Sequence, residues 1–261
     1  MKSIEVSSAQ NAQFKIWKSI LSSKGIKEHH QFLLMGEKLI TEFVTQITAQ
    51  SFFQIEGLIR THKHIAPAVL GQKKINTKEA LLSPELFQEL DVLGTHFPLL
   101  LVSFQNLPLK QIDQQPQGLE IVCPLGDPRN LGALTRSAAG FGVKEIILTQ
   151  EACHPFLPQA IKSSAGAVLS MGFALFPQKI SEMPLIGANF ALELHGEKIH
   201  QVKWPSHLRL WVGEEGPGLR LEHLQKRTMK FIHIPTQGIE SLNATVSTSI
   251  AIWEWSKSQL N

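Results

Sequence analysis

Residues 119–149 read LEIVCPLGDPRNLGALTRSAAGFGVKEIILT. Leu119 to Pro124 is a short apolar run that suits a buried strand. A loop follows, then a helix of small residues from about Leu131 to Ala139. Lys144 to Thr149 is a second apolar run. Two apolar strands joined through a helix make the unit from which parallel sheets are built. Working outward, further runs occur at Val168 to Leu175, Gly187 to Leu192, Leu208 to Val212 and Lys230 to Ile234. Helical segments fit between several of them, and Leu242 to Ser258 closes the chain as a helix. Strands that are apolar throughout imply an α/β domain whose mostly parallel sheet is covered on both faces.

Open parallel sheets bind ligands beyond the carboxyl ends of their strands, and three unusual segments fall there. In the first, Gly126 to Gly142, Asn130 is a candidate cap for the helix. Gly132 and Ala133 permit close approach, and Arg136 sits in the second turn. Periodicity leaves Arg136 open between an ion-paired surface residue and a functional cation. In the second, Trp211 to Arg220, a buried strand runs into Gly213-Glu214-Glu215-Gly216-Pro217-Gly218. A tight turn needs about two of these glycines. The segment is not the dinucleotide fingerprint GxGxxG, and it lacks the Lys-Ser/Thr pair of a P-loop. It fits either a turn or a loop that cradles a ligand through its backbone. In the third, Ile234 to Trp255, a strand ends at Ile234 and a helix begins near Ser241, with Ser241 as N-cap and Asn243 just inside. Small Ala244, Ser247, Ser249 and Ala251 alternate with Val246, Ile250 and Trp253. That mixture suits close helix packing, in a subunit interface or a tight core.

Upstream, residues 105–118 (QNLPLKQIDQQPQG) have the composition of an exposed linker. Residues 1–104 read as a separate unit of mixed helix and strand. Asn11 to Ser22 and Glu37 to Thr45 have helical spacing, Phe32 to Met35 is a short apolar run, and Ser83-Pro84 opens another helix. Of the 261 residues, 43% are hydrophobic and 18% charged, enough apolar material for a buried core. The longest apolar stretches, such as Phe97 to Val102, are far too short to span a bilayer. The opening MKSIEVSSAQNAQFK has no apolar signal core, so a cytoplasmic setting is expected. The two cysteines, Cys123 and Cys153, make neither a disulfide framework nor a zinc site by themselves and read as small apolar residues. His29, His30, His62 and His64 lack the carboxylate or Cys that would complete ligand spacing, and no metal is expected. The net charge is +3. Lys15, Lys18, Lys24 and Lys27 form one basic cluster, and Lys63, Lys73, Lys74 and Lys78 another. Each suits a solvated surface as well as an RNA-facing one.

The three segments together resemble the motifs of the SpoU (TrmH) family of RNA 2′-O-ribose methyltransferases, within the SPOUT superfamily. The first resembles Asn130-x-Gly132-x-x-x-Arg136 with Phe141-Gly142. The second resembles Gly213-x-Glu215-Gly216-x-Gly218. The third resembles Ile234-Pro235 and Ser241-Leu242-Asn243. Ser163-Ser164-Ala165-Gly166-Ala167 resembles an intervening family segment. Glu214 stands where many members have Asn. More weakly, Ser8 to Asn11 and Phe32 to Gly36 resemble the small ribosomal-protein-L30-like substrate-binding domain many members carry, with Met35 where Glu is usual.

The resemblance implies an RNA-binding domain at 1–104, a linker at 105–118 and a methyltransferase domain at 119–261 whose C-terminal part threads a deep trefoil knot. It implies S-adenosylmethionine held by Gly213, Gly218, Ile234 and Leu242, and a homodimer formed through the C-terminal domain. It implies catalysis by Arg136, with Asn130, Glu215, Ser241 and Asn243 orienting it and the ribose. Lys15, Lys18, Lys24 and Lys27 are the candidate RNA contacts. Because a guanidinium stays protonated at ordinary pH, Arg136 is better read as a phosphate-gripping cation that stabilises the forming alkoxide than as a base. Ribosomal RNA is the expected substrate. The alternatives are transfer RNA, or an inactive RNA-binding or ribosome-assembly protein of the same fold.

Overall fold

The strand–helix–strand reading of residues 119–149 is realised in a computed structural model, which describes residues 3–48, 50–75, 77–213, 219, 228–239 and 241–260. Glu215 and Gly218 lie outside the described residues. The chain divides into two units, Met1–Asn106 with Phe156–Lys162, and Leu107–Pro155 with Ser163–Asn261.

The first unit contains β1 (Ser3–Val6), α1 (Ala12–Ser19), α2 (Ser23–His29), β2 (Gln31–Leu34), α3 (Glu37–Gln46), β3 (Phe53–Arg60), α4 (Ala68–Gln72), β4 (Lys78–Leu82), α5 (Pro84–Leu90) and β5 (Leu99–Phe104). Its five strands are ordered β1-β4-β3-β5-β2. β1, β4 and β3 run parallel, while β5 is antiparallel to both β3 and β2. The helix expected to open at Ser83-Pro84 forms, with Ser83 accepting from the Leu86 amide, and Asn11 caps α1 by accepting hydrogen bonds from the Gln13 and Phe14 amides. The predicted helix over 11–22 ends at Ser19, and α2 starts afresh on a Ser22 cap. The two helices pack so closely that a Cβ at Gly25 would lie 2.0 Å from the Ser19 carbonyl oxygen. Phe156, far along the chain, joins this unit's core. Its ring lies 5.1 Å from Phe32, 5.3 Å from Phe53 and 4.9 Å from Phe104. No shift in composition marks that insertion.

The second unit contains β6 (Leu119–Cys123), α6 (Pro128–Gly140), β7 (Glu145–Leu148), β8 (Phe173–Leu175), β9 (Asn189–Lys198), β10 (Leu208–Trp211), β11 (Lys230–His233) and α8 (Ala244–Ser258), while α7 (Pro158–Ser163) belongs to the first unit except for its last residue. Its six strands are ordered β11-β9-β10-β6-β7-β8, and every pairing is parallel. The apolar core groups Val122, Ile147, Phe176, Ile180, Met183, Ala191, Trp211 and Met229.

Three details differ from the periodicity. Of the run 168–175, only Phe173–Leu175 is strand; Ala167–Leu169 is a 3-10 turn, entered through Ala165 and Gly166 at φ 51° and 85°. That left-handed pair turns the chain before extended structure can begin. β9 runs on to Lys198, because its pairing with β11 jumps register between Phe231 and Ile232. The jump brings the strands so close at Gly196 that a Cβ there would sit 2.5 Å from the Ile232 nitrogen. Finally, two charges stand inside the apolar sheet. Arg209 and Glu120, on neighbouring strands, are buried and paired at 2.9 Å.

The stretch 105–118 is exposed over most of its length but tied to the second unit. Lys110 pairs with Glu120 at 2.8 Å and Glu145 at 2.7 Å, and the Gln114 carbonyl accepts from Arg209 Nη2 at 2.7 Å. No described helix is long and apolar enough to cross a membrane.

Candidate active site

The parallel register places the carboxyl ends of three strands at one edge of the second unit's sheet. Trp211 on β10 and Phe231 on β11 both align with Ala191 of β9 between them, and Trp211 aligns with Val122 of β6. The segments leaving β6, β10 and β11 therefore emerge at the same edge. β10 and β11 are two strand spacings apart, roughly 10 Å. These are the three segments singled out in the sequence.

α6 begins on an Asp127 cap. Its carboxylate accepts from the Arg129 amide at 2.6 Å and the Asn130 amide at 3.3 Å, with Pro128 at the first position. Asn130 is thus not the cap but lies inside the first turn, and Arg136 falls in the third turn rather than the second. The correction has a simple cause: the helix starts three residues earlier than its apolar spacing suggests, because Asp127-Pro128 is itself a strong start signal. At the other helix the roles of two residues exchange. Asn243, not Ser241, caps α8, accepting from Thr245 N at 2.9 Å and Val246 N at 3.3 Å. Ser241 is exposed, two residues before the cap.

α6 and α8 lie side by side and run in the same direction. Thr245 Oγ1 donates to the Asn130 carbonyl at 3.2 Å, Ser249 Oγ bonds Ser137 Oγ at 2.9 Å, and the Phe141 and Trp253 rings are 5.3 Å apart. This seam joins the first segment to the third, so Asn130 and Asn243 enter it from the same end. Beside the seam is a shallow groove lined by Ala133, Ser137, Val246, Ser249, Ile250 and Trp253. Val246 and Trp253 remain 48% and 47% exposed.

Arg136 is exposed on α6 and has no ion-pair or hydrogen-bond partner among the described residues. Gly213, Ile234 and Leu242 are half-buried at the sheet edge. Glu215 and Gly218, as stated, lie outside the described residues. The backbone between Ile234 and Ile239 carries neutral side chains, and Thr236 Oγ1 donates to the Ile239 carbonyl at 2.9 Å.

In the first unit Lys15, Lys18, Lys24 and Lys27 are all exposed on α1 and α2, and Lys18 is paired with Glu89 at 2.5 Å. The second lysine cluster is divided. Lys63 follows the carboxyl end of β3, whereas Lys78 begins β4 opposite Gly57, at the other edge of the sheet. His64 serves structure: its Nδ1 accepts from the Thr61 amide at 3.3 Å and its ring lies 4.6 Å from Phe87. Burial, with the nearby Arg60 and His96 charges, lowers its pKa against the opposing pull of Asp91. Among the described residues no three His, Cys, Asp or Glu gather as metal ligands. Cys123 and Cys153 are buried free thiols. Burial pushes the Cys123 thiol up to about 12, which leaves it no nucleophilic character at neutral pH.

One surface cation escaped the sequence reading. Arg129 is exposed, seven residues before Arg136 on the same helix. The seven-residue spacing was the available signal.

A family profile for the SpoU rRNA methylase family matches residues 121–253. The chain is 31% identical to "Ribosomal RNA small subunit methyltransferase G 2" of Syntrophobacter fumaroxidans over 97% of its own length. It spans only about half, 49%, of that relative. It is 23% identical to "23S rRNA (guanosine(2553)-2'-O)-methyltransferase RlmP" of Bacillus subtilis, covering 97% of this chain and 98% of the other. Among solved structures, the SpoU methyltransferase AviRb of Streptomyces viridochromogenes, in complex with AdoMet, superposes with a TM-score of 0.78 at 19% identity, covering 97% of this chain and 99% of that one. An AdoMet-bound rRNA methyltransferase of Sinorhizobium meliloti superposes with a TM-score of 0.74 at 20% identity, over 99% of each chain. These structural likenesses establish the α/β fold with its parallel sheet.

Proposed function

Since the chain belongs to the SpoU rRNA methylase family, we propose that it is an S-adenosylmethionine-dependent RNA 2′-O-ribose methyltransferase acting on ribosomal RNA in the cytoplasm. The observation that supports this best is the α6–α8 seam. It sets the Asn130–Arg136 helix against the Asn243 cap at the sheet edge where β10 and β11 end.

The described residues fit the cofactor. Gly213, Ile234 and Leu242 offer half-buried backbone and apolar surface, and the stretch from Ile234 to Ile239 carries no charged side chain. Such a lining suits an adenosyl group recognised through main-chain hydrogen bonds. When bound, that cofactor supplies an electrophilic sulfonium methyl group. Gly213, Gly218, Ile234 and Leu242 would hold it.

The chain's own residues must then orient a ribose hydroxyl and manage its charge. Arg136, exposed and cationic, grips the adjacent phosphate and stabilises the developing alkoxide; its guanidinium stays protonated throughout. Asn243 has its carbonyl oxygen committed to the Thr245 and Val246 amides. This fixes the side chain and leaves its NH2 hydrogens for substrate. Asn130, Ser241 and Glu215 complete the orienting set. Holding the hydroxyl in line with the methyl supplies much of the rate acceleration.

The homodimer and the trefoil knot belong to the same proposal. The groove flanked by Val246, Ile250 and Trp253 is an apolar face suited to a second copy. The first unit, with Lys15, Lys18, Lys24 and Lys27 exposed, is the RNA-binding domain in this reading. The test is methyl incorporation from labelled S-adenosylmethionine into ribosomal RNA. Arg136→Ala should lower kcat by about 10²–10³-fold while calorimetric cofactor binding stays within a factor of about two. An unchanged rate in that variant would remove Arg136 from the mechanism.

A further inference from the structure

α6 presents three distinct faces. Leu131, Gly132, Leu134, Thr135 and Ala138 are buried in the sheet's cover. Ala133 and Ser137 face α8, joined by the Ser137–Ser249 hydrogen bond. Arg129 and Arg136 are exposed. Seven residues of α-helix turn through about 700°, which returns the side chain to within about 20° of its starting direction, and rise about 10.5 Å. The two guanidinium groups therefore share one stripe, separated by two helical turns.

Arg129 is out of place for a structural residue. It stands at the second helical position, where the helix dipole disfavours a cation. Neither it nor Arg136 has an ion-pair partner among the described residues. The carboxylate nearest in sequence, Asp127, is engaged with the Arg129 and Asn130 backbone amides as the cap. The first turn itself is pinned, since Ser163 Oγ bonds the Pro128 carbonyl at 3.4 Å. An exposed cation on a tied-down helical turn, without an ion-pair partner among the described residues and beside the sheet edge that carries the candidate active site, suits a polyanion.

We propose that Arg129 is a second phosphate contact for the RNA substrate, on the same strand of RNA that Arg136 grips. The inference rests on the RNA methyltransferase reading and extends its recognition surface along α6. Arg129 positions the RNA backbone and takes no part in the methyl transfer itself.

The experiment measures binding of the 261-residue chain to a fluorescein-labelled single-stranded RNA oligonucleotide across a salt series. Each phosphate contact contributes about 0.7 to the slope of log affinity against log salt for single strands. Arg129→Gln should flatten the slope by about 0.7 and weaken binding roughly three- to tenfold. Arg129→Lys should restore both. The double change with Arg136→Gln should flatten the slope by about 1.4. In methyl transfer Arg129→Gln should raise KM for RNA and leave kcat within a factor of about two, unlike Arg136→Gln. S-adenosylmethionine binding by calorimetry should match the parent, which verifies the fold. A slope and affinity unchanged in Arg129→Gln overturn the proposal while leaving the methyltransferase reading standing. A parent that binds no RNA overturns both.

Discussion

Replacing Arg209 by Met would leave a buried carboxylate facing an apolar side chain. Arg209 Nε donates to Glu120 at 2.9 Å and Nη2 to the Gln114 carbonyl at 2.7 Å. Arg209 is 0% exposed and Glu120 2% exposed, so water cannot substitute. Breaking a buried pair by removing one partner costs about 3–5 kcal/mol, mostly the penalty of the orphaned charge. Lys110 Nζ, 2.8 Å from Glu120, keeps part of the compensation, which points to the lower end, about 3 kcal/mol. For a unit of this size that is a fall in Tm of about 6–12 °C by scanning calorimetry. The double variant Glu120→Leu/Arg209→Met should recover most of the loss, because it removes the charge together with its partner. A single variant melting within about 2 °C of the parent, or a double variant less stable than the single, would refute this account of the buried pair.

The same carboxylate sets a pH dependence. Burial raises the Glu120 pKa, but hydrogen bonds from Lys110, Arg209 and the Gln117 amide outweigh it, so the folded value lies below the ordinary 4.5. Its contribution is present above pH 4.5 and is lost as pH falls through the folded value; Glu120→Gln should flatten acid unfolding in that range. Asn243→Ala should cost about 1 kcal/mol of stability through the lost α8 cap. It should also lower methyl transfer by more than that loss explains, whereas Asn243→Asp should keep the cap and still lose activity. Gly196→Ala should destabilise by at least about 1 kcal/mol, since its Cβ would meet the Ile232 backbone at 2.5 Å; urea unfolding measures it. If the parent sediments as the proposed homodimer, Trp253→Asp, at a side chain 47% exposed beside the seam, should shift it to monomer at micromolar protein; a monomeric parent overturns the proposed dimer, and an unshifted dimer moves the interface elsewhere.

The second unit's strand and helix sequence was readable because its strands are apolar runs and its helices are rich in small residues interleaved with apolar ones. The three segments stood out through the crowded glycines around Gly213 and the small residues around Arg136, but whether Arg136 was ion-paired could not be read from the sequence. Strand order was not readable, since β11-β9-β10-β6-β7-β8 depends on contacts far apart in sequence. Nor was the Arg209–Glu120 pair, because a charge inside an apolar run looks like an edge or a defect until the neighbouring strand supplies its partner. The cap assignments at Asp127 and Asn243 missed by a few residues for a related reason. Several capping residue types sit near each helix start, and only backbone geometry chooses among them. The insertion of Phe156 into the first unit's aromatic cluster is a tertiary fact that composition does not mark.

The proposed activity is ribose methylation at the edge where α6 meets α8. The decisive measurement is the position of the methyl group transferred by the purified 261-residue chain to ribosomal RNA. Alkaline hydrolysis followed by mass spectrometry would reveal it. The expected product is an alkali-resistant dinucleotide carrying a 2′-O-methyl group, formed by the parent and reduced at least about 100-fold by Arg136→Ala. A methyl group found on a base, or no methyl transfer from the parent to ribosomal RNA, would contradict it.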